Sequence, residues 1–141
     1  MITLEEWLGP HGASADATDD VRGNARALLE RVNDLLVLAY TQGINLHINP
    51  NTGSWISGAG NGGFRPRNST VGAPQSKHKI GHGVDVYDPQ NEIDSWLTNE
   101  LLEEHGLYRE HPDDTNTWCH LQDLPPGPLG SPERTNRTFK P

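Results

Sequence analysis

His78 and Asp85 stand seven residues apart in Ser76-Lys77-His78-Lys79-Ile80-Gly81-His82-Gly83-Val84-Asp85-Val86-Tyr87-Asp88, and another imidazole lies far downstream in Trp118-Cys119-His120-Leu121-Gln122. Two imidazoles and one carboxylate are donors that zinc accepts tetrahedrally, and three such ligands leave a corner open for water, as a catalytic zinc site requires. His78, Asp85 and His120 are therefore the candidate metal ligands. His82 lies four residues after His78, a ligand pair if the segment were helical. Gly81 and Gly83 on either side oppose a helix, so His82 is read as a pocket-lining or solvated side chain. In a strand Trp118, His120 and Gln122 share one face, while Thr117, Cys119 and Leu121 share the other. Cys119 is thus read as a small buried hydrophobe and not a ligand.

The pattern Ser76-x-His78-x-x-Gly81-x-Gly83-x-Asp85, followed by Trp118-x-His120 and preceded by Gly63-Phe64-Arg65-Pro66, resembles the signature of the zinc D-Ala-D-Ala carboxypeptidase and L-alanyl-D-glutamate endopeptidase family. That family includes many phage endolysins and shares a superfamily with the hedgehog signalling domain. The resemblance spans approximately Ser54 to Gln122. It implies a zinc peptidase acting on bacterial peptidoglycan stem peptides, at a bond involving a D-amino acid, in a phage-encoded endolysin or virion-associated protein. It also implies that Arg65 polarises the substrate carbonyl or pairs with a carboxylate, a task suited to a planar fork of donors that stays charged. Ser76 belongs to the same motif and is expected to bond substrate or to hold the loop near His78.

Two positions depart from the family pattern. Gly83 stands where alanine is common, with a small expected effect. Thr117 stands three residues before His120, where many relatives carry the Glu or Asp that takes a proton from water, and a threonine hydroxyl cannot act as a base near neutral pH. The role must then move or be absent. Glu110, near the end of the preceding strand, and Asp113 or Asp114, in the connection that follows, are the candidates. Glu110 is favoured because a strand positions a carboxylate better than a turn does. If no residue has taken the role, the alternative is a zinc-stabilised binding or structural module of a virion.

The elements that must position these residues are legible in part. Thr3-Leu4-Glu5-Glu6 has capping-box spacing and predicts a short helix ending at Gly9-Pro10. Thr18 or Asp19 caps a long helix with Val21, Ala25, Leu28, Val32, Leu35, Leu36 and Ala39 on one face, closed near Gly43. Residues 44–48 and 54–57 read as a hairpin about the turn residues 49–53, and 58–82 as a long functional loop. Val84 to Tyr87 predicts a strand. Asp88 and Pro89 predict the N-cap and first position of one helix running to Gly106. Leu107 to Arg109 and Trp118 to Gln122 predict two further strands. The expected fold is α+β: a small antiparallel sheet of about four strands, two main helices and a zinc cleft. Residues 1–124 form one domain, and the Pro- and Gly-rich residues 125–141 an extended tail, packed over the surface or mobile.

Composition sets limits. The chain has 141 residues, 33% of them hydrophobic and 21% charged, enough for one small domain with a modest core. Fifteen Gly and eleven Pro predict much loop. A net charge of -8 with no basic run argues against nucleic acid as a partner and gives no reason to expect adhesion to anionic membranes. One cysteine excludes an intramolecular disulfide. The N-terminus has no basic and apolar leader pattern, and no apolar run approaches the ~20 residues of a membrane span. A soluble protein is expected, held in the host cytoplasm until release or carried in a virion.

Overall fold

A threonine and a glutamate start the first helix, α1 (Leu4–Leu8): the Glu6 amide donates to Thr3 Oγ1 at 3.1 Å and the Thr3 amide to Glu6 Oε1 at 3.0 Å. The computed structural model describes all residues from 1 to 141. Helix α2 (Asp19–Thr41) is capped by Thr18, whose hydroxyl accepts from the Val21 amide. Its face of Ala25, Leu28, Leu29, Val32, Leu35, Leu36 and Ala39 is buried, and α1 packs against it through Trp7 and Leu8. No helix is long and apolar enough to cross a membrane.

Four strands form one sheet in the order β1 (Gly83–Tyr87), β3 (Trp118–Gln122), β2 (Tyr108–Glu110), β4 (Thr138–Phe139). The first two pairings are antiparallel, as expected, but β4 runs parallel to β2, so the sheet is mixed. The extra strand comes from the segment read as a tail. Alternation divides the sheet's residues cleanly: Val84, Val86, Cys119 and Leu121 are wholly buried against the helices, while Asp85 and His120, cross-strand partners, take the opposite face.

Two expected elements differ. Residues 44–57 make no hairpin ladder, only an isolated bridge between Asn49 and Ser54. The side chains of Asn49 and Thr52 bond the carbonyls of Ile56 and Ser57 instead, competing with strand pairing as short polar side chains do. Residues 55–57 then dock on β1, with Tyr87 N donating to Trp55 O at 2.6 Å and Ser57 N to Asp85 O at 2.9 Å. The single helix expected over 88–106 is two, α3 (Glu92–Trp96) and α4 (Asn99–Glu104). The Asp88 carboxylate accepts from the amides of Ile93 and Asp94 across a turn in which Asn91 is left-handed (φ 55°). Thr98 breaks the run, its extended backbone and hydroxyl capping a new helix at Leu101 N.

Candidate metal centre

His78 sits in a single 3-10 turn, Lys77–Ile80, which opens with the Ser76 hydroxyl accepting from the His78 amide at 3.3 Å. The turn closes on Gly81 at φ 86°, where the close approach of the Val21 carbonyl leaves no room for a Cβ. The ring is almost wholly buried, and its Nδ1–H donates to Gly63 O at 2.7 Å. In the neutral ring that bond leaves Nε2 as the lone-pair nitrogen, and Nε2 lies 3.2 Å from Asp85 Oδ1. On the neighbouring strand His120 mirrors the arrangement with its nitrogens exchanged. Nε2–H donates to Gln122 Oε1 at 2.8 Å, and Nδ1 lies 2.8 Å from the same Asp85 oxygen. The Gln122 amide is itself oriented, because its Nε2 donates to Leu124 O at 2.7 Å.

Two imidazole nitrogens and a carboxylate oxygen thus converge with ligand atoms within 4.8 Å of one another. Such a group, held out of water, is satisfied either by protons on the imidazoles that face Asp85 or by a metal ion that takes their place. The outer hydrogen bonds to Gly63 and Gln122 fix both rings in the tautomers that a metal needs. The chain therefore contains a buried His-Asp-His group that could hold a metal ion, made of the three residues the sequence singled out.

Electrostatics follow from this crowding. Burial opposes ionisation of Asp85, but His78 and His120 outweigh it and hold the carboxyl well below the usual range. Burial lowers His78 despite Asp85. His120 is raised, since its hydrogen bond and attraction to Asp85, with help from Gln122 and Glu110, exceed the opposing effect of burial.

The other predicted residues fall into place unevenly. Arg65 is buried and lines the cleft, and its Nη2 donates to Asp85 Oδ2 at 3.2 Å while Nε donates to Asn61 O at 2.7 Å. The carboxylate it meets is a ligand's own. Its Nη1 makes only long contacts, 3.4 Å to Val71 O and 3.5 Å to Ser76 Oγ. Burial lowers the guanidinium's pKa, partly offset by Asp85 and Glu110. Ser76 caps the turn and lines the cleft as well.

Glu110 is placed by register. Tyr108 faces Gln122 and Arg109 faces Leu121, so the next pair sets Glu110 beside His120, which itself faces Asp85. The three form one row across the open face of the sheet, continued by Phe139, the partner of Glu110 in β4. The Phe139 ring stands edge-on to His120, centroids 6.3 Å apart. Glu110 is half-buried, and burial raises its carboxyl pKa above the usual value. The negative charges of Asp85 and Asp114 act in the same sense, against His120 and Arg65. Asp114 lines the cleft with its carboxylate 3.4 Å from Lys140 Nζ, whereas Asp113 lies outside it, exposed and near His111 and Lys140. His82 is not part of the group: its Nδ1 meets Asp123 Oδ1 at 2.7 Å. Cys119 is buried on the sheet's far face. Gly83 has a tighter role than expected, because a Cβ there would lie 3.1 Å from His78 N and 3.3 Å from His120 Cε1.

The cleft above this row has a volume of about 850 Å³. Part of its lining comes from Pro126 to Pro128, Arg134 and Phe139 to Pro141, in the segment that composition alone marks only as a tail. The β-branched and aromatic pair Thr138-Phe139 was the one hint of a strand there. Scans against protein-family models, curated proteins and solved structures find no match to this chain.

Proposed function

We propose that the chain is a zinc metallopeptidase that hydrolyses a peptide bond in bacterial peptidoglycan stem peptides, encoded by a phage as an endolysin or virion-associated enzyme. The observation that carries the reading is the row Asp85, His120, Glu110 at the foot of an open cleft: a ligand pair with an unpaired, half-buried carboxylate next to it. Two nitrogens and one oxygen suit zinc, and the order of the surrounding motifs resembles the peptidoglycan peptidases.

His78 Nε2, Asp85 Oδ1 and His120 Nδ1 would hold the ion. When bound, zinc supplies a Lewis acid that polarises a peptide carbonyl and acidifies water. Glu110 takes the proton of the attacking water on a carboxylate oxygen and delivers it to the leaving amine nitrogen. Arg65 aims Asp85 through Nη2, and its loosely held Nη1 is the donor free to meet negative charge developing on the carbonyl oxygen. Ser76 holds the His78 turn in place.

A second reading, a zinc-stabilised virion module without activity, draws on Thr117. It is exposed at the entrance to β3, and no carboxylate stands at that position. Incubating purified protein with peptidoglycan and counting released amines, with and without chelator, separates the two. Release that stops on chelation supports the peptidase, whereas one bound zinc per chain without release supports the module.

A further inference from the structure

We propose that Arg134 is the carboxylate receptor of the metal cleft, so that residues 125–141 select which peptides bind. This deepens the peptidase reading and rests on it for the identity of the ligand. Four cationic side chains line the cleft: Arg65, Lys77, Arg134 and Lys140. Three have partners within the protein, Arg65 keeping only its Nη1 loosely held. Arg65 bonds Asp85 at 3.2 Å, Lys77 Nζ donates to Gly127 O at 2.7 Å, and Lys140 lies 3.4 Å from Asp114.

The Arg134 guanidinium has no ion pair and no hydrogen bond, yet the backbone that carries it is anchored. Its amide donates to the hydroxyl of buried Tyr108 at 3.0 Å. Asn99 brackets the next residues, donating to Thr135 O at 2.8 Å and accepting from Arg137 N at 2.7 Å, and the Arg137 guanidinium covers the Tyr108 ring at 4.3 Å. The result is a solvent-exposed two-pronged donor on a fixed base, at the wall of a cleft that also contains Glu110 and Asp114. Asp114 is paired with Lys140, but Glu110 has no partner and repels an anionic ligand, so a substrate carboxylate settles where an uncommitted cation offsets it, and the guanidinium fork matches it in two places. The carboxylate is either the peptide's terminal one or the side chain of an internal acidic residue.

The test measures binding to the metal-loaded full chain in a Glu110→Gln background, which removes turnover from the readout. The probes are a peptide ending in D-Ala-D-Ala and its C-terminal amide, and a peptide containing L-Ala-D-Glu and its D-Gln counterpart. One acid binds about tenfold tighter than its neutral partner, and which pair shows the difference identifies the carboxylate. Adding Arg134→Ala abolishes the preference while leaving the neutral peptide's affinity unchanged, and Arg134→Lys keeps part of it. Equal binding of acid and neutral forms in both pairs, or a preference that survives Arg134→Ala, overturns the proposal. Cleavage by the unsubstituted protein is scored separately: an acid preference lost with Arg134 but no cleavage leaves the receptor standing and removes the peptidase.

Discussion

Glu110 is partly out of water beside other negative charges, the setting of the base that the proposed mechanism needs. In the proposed mechanism Glu110 acts only when deprotonated, so the acidic limb of kcat/KM against pH reports its ionisation in the metal-loaded protein. Glu110→Gln keeps the metal but lowers kcat by about 10²- to 10⁴-fold and erases that limb. Metal analysis beside a pH-rate profile checks both; undiminished turnover transfers the role to Asp114, the other half of the cleft's acidic pair. At the ligands the sign is different. Metal binds the unprotonated rings, and the proton on His120 is held more tightly than usual. Metal affinity therefore falls with acidification from above about pH 6.5, which a competition titration against a chromophoric chelator at several pH values would read. Gln122→Leu removes the acceptor that fixes the His120 tautomer and weakens binding about 10- to 100-fold. Unchanged affinity would mean the amide does not orient the ring.

Between residue and fold, the ligands depend on elements that carry no ligand. The Gly63 carbonyl that orients His78 is packed against α1, where Phe64 N donates to Trp7 O at 2.8 Å and any Cβ on Gly63 would overlap the Trp7 carbonyl. Trp7 reaches further, its indole N–H donating to Gly83 O at 3.0 Å. Gly63→Ala must displace either α1 or the loop. It should cost about 1–3 kcal/mol in denaturant unfolding and weaken metal binding as well, whereas an overpacked site remote from the ligands would show only the first effect. Such dependence also explains what could be read beforehand. The ligands were legible because their spacing is local, His78 to Asp85 on one turn and strand, with His120 on a strand whose alternation is plain. Helices α1 and α2 were legible because capping and periodicity are local too. Glu110 needed the β2 to β3 register, a long-range property, and position in a strand could only favour it. The hairpin failed because side-chain bonds from Asn49 and Thr52 outcompeted pairing, and the long helix failed because Thr98, an ordinary residue by propensity, acts as a cap inside an apolar run. The parallel strand β4 is set by its pairing with β2, Glu110 with Phe139, across 29 residues of sequence, and composition carries no record of it.

For the whole molecule, an ion held by the His-Asp-His group would tie metal binding and folding into one equilibrium. The chain closes its cleft by bringing β4 back beside β2, where Arg109 N donates to Arg137 O and His111 N to Phe139 O, each at 2.8 Å, so the far end of the chain is built onto the same sheet that presents the ligands. A ligand that binds only the folded state adds RT ln(1 + [L]/Kd), about 2.7 kcal/mol at a hundredfold excess over Kd. For a chain of this length that is a melting-temperature rise on the order of 10 °C, which chelation should abolish and which His78→Ala, Asp85→Ala or His120→Ala should prevent. Without metal, the remaining glue at the centre is the charge of Asp85 against its imidazoles and Arg65. Because its folded pKa is depressed, the stabilisation is complete above the ordinary carboxylate range, near pH 4, and is lost as pH falls through that range toward the depressed folded value. In the chelated protein, then, Asp85→Asn should flatten the acid side of the stability curve below about pH 4. Thermal melts of the two chelated proteins from pH 7 to 3 test this, and parallel acid limbs would show that the Asp85 carboxylate is not what holds the metal-free centre together.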